Sequence, residues 1–183
     1  VVSRHDRVGF TGTNFGYLSS CYADAIVTGY DMFTGGLVGD NFGCVSCCYS
    51  TGSVTGEDMV GGLVGGGYGT IASSYSVATV DSWGWSVGGL AGSGNAPDNC
   101  YFLDPADGGG PDNDIGTPLT SIQMTQQASF EDWDFWGTNA DGTADLWFMP
   151  ENAYPVLAWQ TQTTGLYPIP DVTGLSGQNR IRS

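Results

Sequence analysis

The feature that most constrains this 183-residue chain is a repeat. Gly36-Leu37-Val38-Gly39-Asp40-Asn41-Phe42-Gly43 is followed by Gly62-Leu63-Val64-Gly65-Gly66-Gly67-Tyr68-Gly69 and then by Gly89-Leu90-Ala91-Gly92-Ser93-Gly94. A degenerate copy, Gly9-Phe10-Thr11-Gly12-Thr13-Asn14-Phe15-Gly16, precedes them. Phe10, Leu37, Leu63 and Leu90 therefore share a column with spacings of 27, 26 and 27. Tyr22, Tyr49, Tyr75 and Tyr101 form a second column, and Val27, Val54 and Val80 a third. Cys21, Cys48, Ser74 and Cys100 stand just before the tyrosines. A unit of this size cannot bury its apolar residues alone, whereas stacked units can.

The local pattern is extended. Short runs separated by glycine alternate apolar and polar residues, as in Val45, Cys47, Tyr49 and in Ile71, Ser73, Tyr75. Stacking one repeat on the next at the strand spacing of about 4.8 Å puts like residues on like. The expected fold is all-β: a parallel β-helix, or β-solenoid, of three to four 26–27-residue coils with a C-terminal Trp-rich cap containing a short helix. Thirty glycines without a G-X-Y period suit the tight corners of such a stack.

The motifs Gly35-Gly36-Leu37-Val38-Gly39 and Val60-Gly61-Gly62-Leu63-Val64-Gly65 resemble the GLUG-motif repeat, as do Cys48-Tyr49-Ser50-Thr51-Gly52 and Ser74-Tyr75-Ser76. The resemblance spans residues 8–103. It implies a segment of a bacterial secreted or cell-surface protein, adhesive or stalk-like, extracellular, with no catalytic residue of its own.

Charge narrows the partners. Nineteen acidic residues face four arginines, with no lysine, for a net charge of −15. Such a surface repels nucleic acid and anionic lipid, which need cationic partners. No apolar run reaches the roughly 20 residues of a membrane span. Absence of an initiating Met or signal peptide reads as a processed or cut N-terminus. The expected partners are other protein chains, including a copy of itself head to tail, and host or cell-surface glycans or proteins.

Three segments are expected: repeats over residues 1–103, an acidic loop, short helix and cap over 104–160, and a tail or linker over 161–183. Thr120 and Gln123 form a capping-box pattern that predicts a helix over 121–128. Trp133, Trp136, Trp147 and Trp159 then suit a cap that hides the last coil's apolar end.

Candidate sites are few. His5 is the single histidine, so no histidine-based triad or multi-histidine metal site can be assembled. A pectin-lyase type of mechanism lacks a basic residue in the coils. Paired-carboxylate hydrolysis could draw on Glu57, Asp58, Asp81, Asp104 and Asp107, though turns are also where solenoids hold solvated charge. No cofactor is expected. Asp104, Asp107, Asp112 and Asp114 offer the oxygen ligands calcium prefers, and residues 139–145 offer a second set; neither has EF-hand spacing, and a solvated acidic loop is the favoured reading of both. Cys44 and Cys47 point to opposite faces of a strand and cannot chelate together. Cys21 and Cys48 stack on adjacent coils within disulfide range, with buried thiols the alternative. Trp83 and Trp85 flank Gly84 in a turn and are the candidate ligand-contact aromatics. The chain is thus expected to be structural or adhesive rather than enzymatic. A filament subunit and a carbohydrate-binding or carbohydrate-active module are the two rivals.

Overall fold

Each repeat closes one turn of a right-angled path because four short strands are separated by glycine-rich or positive-φ corners. The computed structural model describes residues 7–137 and 145–164. The first coil comprises β1 (Thr11–Asn14), β2 (Tyr17–Ser19), β3 (Tyr22–Thr28) and β4 (Met32–Gly35). The second comprises β5 (Val38–Asn41), β6 (Cys44–Ser46), β7 (Tyr49–Gly56) and β8 (Asp58–Gly61). The third comprises β9 (Val64–Gly66), β10 (Thr70–Ala72), the pair β11 (Tyr75–Ser76) and β12 (Thr79–Ser82), and β13 (Val87–Gly88). Strands pair in parallel with their equivalents one coil away, in the orders β1-β5-β9, β2-β6-β10 and β4-β8-β13. β3, β7 and β11 begin a longer sheet that continues through β14 (Tyr101–Leu103) to β15 (Thr117–Leu119). This is a β-solenoid of about four turns.

The register is the one the repeat predicts. Tyr22 pairs with Tyr49, Tyr49 with Tyr75, and Tyr75 with Tyr101. Val27, Val54 and Val80 are likewise in line. Leu37 N–H donates to Leu63 O at 2.9 Å, and Leu63 N–H to Leu90 O at 2.8 Å. Leu37, Leu63 and Leu90 are buried in the interior with Val38, Val64, Val45, Ile71, Cys48 and Cys100. Phe10 occupies the same column in the first coil but is 78% exposed.

Strict alternation would put Val45 and Tyr49 on one face, and here the structure differs. Ser20, Cys47, Ser73 and Asn99 adopt left-handed backbone with φ of 54°, 51°, 44° and 45°. One such residue per coil turns the chain between β2 and β3 and their equivalents. Val45 and Cys48 consequently enter the interior, while Tyr49 faces outward. Phe33, Met59 and Ser86 repeat the device at the next corner, with φ of 63°, 50° and 56°. Beyond that corner β4 doubles back against β5, and glycines alone permit the approach. A Cβ on Gly39 would lie 2.8 Å from Phe33 O, and one on Gly65 2.5 Å from Gly39 O.

Three of the four outward tyrosines, Tyr49, Tyr75 and Tyr101, are buried, and Tyr22 at the first coil is partly exposed. Tyr22, Tyr49 and Tyr75 stack at 5.3 and 5.0 Å with rings within 16° of parallel. Over this ladder lie Met124, Phe130, Trp133, Phe135, Trp147 and Leu157. Tyr75 Oη donates to Pro155 O (2.5 Å), Tyr49 Oη to Gln160 Oε1 (3.0 Å), and Trp159 Nε1 to Ser20 O (3.3 Å). The Trp-rich segment therefore covers the flank of the solenoid and runs from the fourth coil back to the first. The role expected of it, covering the last coil's end, falls instead to the acidic loop. There Pro111 O accepts from Gly89 N–H, Asn113 Nδ2 reaches Ala91 O and Gly92 O, and Ile115 packs on the core.

The capping box forms: Gln123 Oε1 accepts from Thr120 N–H (2.9 Å), and Thr120 Oγ1 from Gln123 N–H (3.3 Å). It starts two 3-10 turns, Gln123–Thr125 and Gln127–Ser129, rather than an α-helix. Gln126 between them is extended at φ −115°, ψ 114°, which breaks the helical path and lets Met124 and Phe130 both reach the tyrosine ladder. Antiparallel β16 (Trp147–Phe148) and β17 (Val156–Leu157) follow, and the α-helix proper is α1 (Ala158–Thr164).

Two stability outcomes follow from this packing. Trp147→Ala should cost about 3–5 kcal/mol, the loss usual for a buried Trp, whereas Tyr75→Phe, losing one hydrogen bond, should cost about 1 kcal/mol. Urea unfolding measures both. At the left-handed corner, Ser73→Asn should stabilise by a few tenths of a kcal/mol and Ser73→Val should destabilise by roughly 1–2 kcal/mol, because Asn tolerates this conformation and a β-branched residue does not. Melting temperatures of the pair should move in opposite directions.

Candidate functional site

The corners and faces that stacking leaves unused carry the candidate site residues. Trp83 and Trp85 are 57% and 82% exposed. Ser82 pairs with Gly56, which sets Trp83 beside Glu57 of the preceding coil. Met59 N–H donates to Trp85 O (3.1 Å), which sets Trp85 beside Asp58. Tyr30, 66% exposed, occupies the same corner of the first coil. The corner thus alternates aromatic rings and carboxylates, with Asp81 at its approach. Glu57 and Asp81 are exposed and Asp58 is half-buried.

The four aspartates of the acidic loop do not converge. Asp104 Oδ1 caps the 3-10 turn Pro105–Asp107 by accepting from Ala106 N–H (2.7 Å). Asp107 Oδ2 accepts from Ser121 N–H (2.6 Å), and Asp112 Oδ1 from Asp114 N–H (3.0 Å). Asp114 lines a separate hollow of about 720 Å³ with Asp98 and Glu131. Among the described residues, no three His, Cys, Asp or Glu side chains are grouped as a metal site. The carboxylates of Asp104, Asp107 and Asp112 thus bond backbone amides of the loop and of the segment just after it. Of the second set, residues 139–144 lie outside the described residues, as does His5.

All five cysteines are free thiols, so the Cys21–Cys48 bridge is not made in this structure. The column itself is as expected, since Tyr49 N–H donates to Cys21 O and Tyr75 N–H to Cys48 O. Each thiol instead turns to a carbonyl of its own coil: Cys21 Sγ to Ser19 O (3.2 Å), Cys48 Sγ to Ser46 O (3.1 Å), and Cys100 Sγ to Asp98 O (3.2 Å). Burial pushes Cys48 and Cys100 up to about 12 from the ordinary 9.0.

One group of residues carried no sequence signal. Phe33, Phe42, Met59 and Tyr68 wall a groove of about 270 Å³, with Gly67 and Gly94 along it and Asp40, Ser93 and Asn95 as its polar lining. Asp40 is 1% exposed, and its Oδ2 accepts from Arg7 Nε at 2.7 Å. The Arg7 guanidinium lies 5.7 Å from the centre of the Phe33 ring. The available hint was that Asp40 is the only charged residue within the glycine-rich stretch of its repeat.

The raised thiols give an alkaline limit. A group bound more tightly to its proton in the folded state contributes stability that is complete below the unfolded pKa and is lost as pH rises through the folded one. Stability should therefore decline between about pH 9 and pH 12. A Cys48→Ala/Cys100→Ala variant should decline less in that window when followed by circular dichroism. At pH 8, maleimide should label Cys21 and Cys44 while sparing Cys48 and Cys100 until urea is added, as mass spectrometry will read directly.

Comparison of the chain with protein-family models, with curated proteins and with solved structures finds no match.

Proposed function

We infer that this chain is a structural and adhesive segment of a GLUG-type extracellular β-solenoid protein, holding aromatic side chains outward on a rigid stack. The observation that carries this reading is the set of exposed rings at corners of successive coils. Phe15 and Phe42 stack face to face at 5.3 Å, Tyr68 continues their column, and Tyr30, Trp83 and Trp85 mark another corner. Water disfavours such exposure, and rings held rigidly at corners resemble the aromatic anchors of binding surfaces. Placement outside the cell rests on the resemblance of the repeat. Support for a non-catalytic role comes from Glu57, Asp58 and Asp81, which stand at an open corner without the enclosure that acid–base chemistry uses.

End-to-end stacking is a second reading, favoured by Phe10, which holds an interior column yet is exposed among the described residues. One experiment addresses both. Beads coated with the chain should adhere to mucin- or cell-coated surfaces under flow, and a Trp83→Ala/Trp85→Ala variant should release several-fold faster. Adhesion no greater than that of albumin-coated beads would sink the first reading. Sedimentation of the same sample as a monomer at every salt concentration would sink the second.

A further inference from the structure

We propose that the groove between Phe33, Phe42, Met59 and Tyr68 is a binding site for a single neutral pyranose unit at the end of a glycan. The proposal rests on the adhesive reading for the source of the sugar, and on the groove's own chemistry for its class.

The groove borders a column whose residue type changes along the stack. Asn14 and Asn41 fill that column in the first two coils, joined by Asn14 Nδ2 to Asn41 Oδ1 (2.9 Å), and Asn41 Nδ2 reaches Thr70 O (3.1 Å). In the next two coils the column is Gly67 and Gly94, with φ of 123° and 145°, and a Cβ on Gly67 would collide with the Asn41 backbone, so the chain runs close beneath the groove there. The neighbouring column runs Asp40, Gly66, Ser93, and a Cβ on Gly66 would lie 2.5 Å from Ser93 Oγ and 3.0 Å from the Phe33 ring. The hollow therefore spans about two coil steps, roughly 9.6 Å at the strand spacing.

Its lining selects the ligand. Phe42 and the 80% exposed Tyr68 stand on adjacent coils and line the groove with Phe33 and Met59, which makes its wall largely aromatic and apolar. Asn95 is held in place by its Nδ2 bond to Tyr68 O (2.6 Å), and Ser93 lies beside it. Asp40 is the one carboxylate of the lining. Arg7 already balances its charge through Oδ2, while Oδ1 is buried with no hydrogen-bond partner among the described residues. A buried acceptor without a donor is costly. The missing element is a donor rather than a second charge, which favours a hydroxyl over an ammonium. A volume of about 270 Å³ is below the range of about 300–1,000 Å³ for drug-sized ligands and limits the occupant to one ring. An apolar face for the rings and hydroxyls for Asp40, Ser93 and Asn95 together describe a pyranose.

The test is saturation-transfer NMR of the full chain with the methyl pyranosides of glucose, galactose and mannose, alongside ethylguanidinium as a cationic probe. At least one pyranoside should bind in the millimolar range. Tyr68→Ala, which removes an exposed ring and no core contact, should weaken it about tenfold, as should Asp40→Asn. Trp83→Ala, outside the groove, should leave it unchanged. Saturable binding to none of the three sugars overturns the proposal, as does binding unaffected by Tyr68→Ala or binding of ethylguanidinium alone. Failure of the adhesive reading is separable: a chain that takes the glycoside yet adheres to no surface keeps the groove and loses the role. Adhesion to glycans that persists unchanged in Tyr68→Ala keeps the role and overturns the groove.

Discussion

Everything in this molecule depends on backbone hydrogen bonding between a residue and its equivalent 26 or 27 positions later. Backbone N–H and C=O groups cannot be buried unpaired, and in a coil of separate short strands they have no strand partner within the coil itself. The next coil supplies it. Once the ladder is set, every side chain is aligned with its equivalents, and the repeat converts directly into columns. Leu37, Leu63 and Leu90 then form an interior that no single repeat could enclose. The same ladder explains the glycines: where β4 doubles back on β5, backbone meets backbone, and any Cβ at Gly39 or Gly65 would collide with a carbonyl.

The second organising element is the outward column of tyrosines. A left-handed residue at each corner between the second and third strands reverses the expected facing, so the rings leave the interior and build an apolar stripe on the flank. That stripe needs a cover, and the Trp-rich segment provides one. Tyr75 and Tyr49 keep their hydroxyls satisfied through Pro155 O and Gln160, so burial of these two rings strands neither hydroxyl. The segment thus ties four coils together from the side, which a cap on one end could not do. The end of the core is closed separately by the acidic loop, whose carboxylates bond backbone amides in the loop or in the segment just after it.

What remains outside is a surface of two kinds. The chain carries a net charge of −15, to which Glu57, Asp58 and Asp81 contribute at one corner. Between them stand aromatic rings in register, Phe15 over Phe42 and Tyr68 beyond, with Trp83 and Trp85 beside Glu57 and Asp58. The groove at Gly67 and Gly94 interrupts that regularity, and it is the one place where the described residues enclose a buried carboxylate with an unused acceptor beside aromatic walls.

The sequence by itself determined the coil, its length, its register and its interior columns, because a strict repeat leaves in-register parallel stacking as the means of satisfying both backbone and apolar side chains. It also marked Trp83 and Trp85 as turn residues free of packing, and Thr120 with Gln123 as a capping pair. Tertiary structure decided which way the tyrosines face, since that turns on the φ of Ser20, Cys47 and Ser73, residue types with no strong preference for left-handed backbone, and only Asn99 at the fourth equivalent position favours it. It alone decided that the Trp-rich segment lies along the flank and the acidic loop over the end, since aromatic residues announce burial but not the surface they will cover. And it alone produced the groove: Phe33, Phe42, Met59 and Tyr68, and an Asp40 paired with Arg7 across 33 residues, meet only when three coils are stacked.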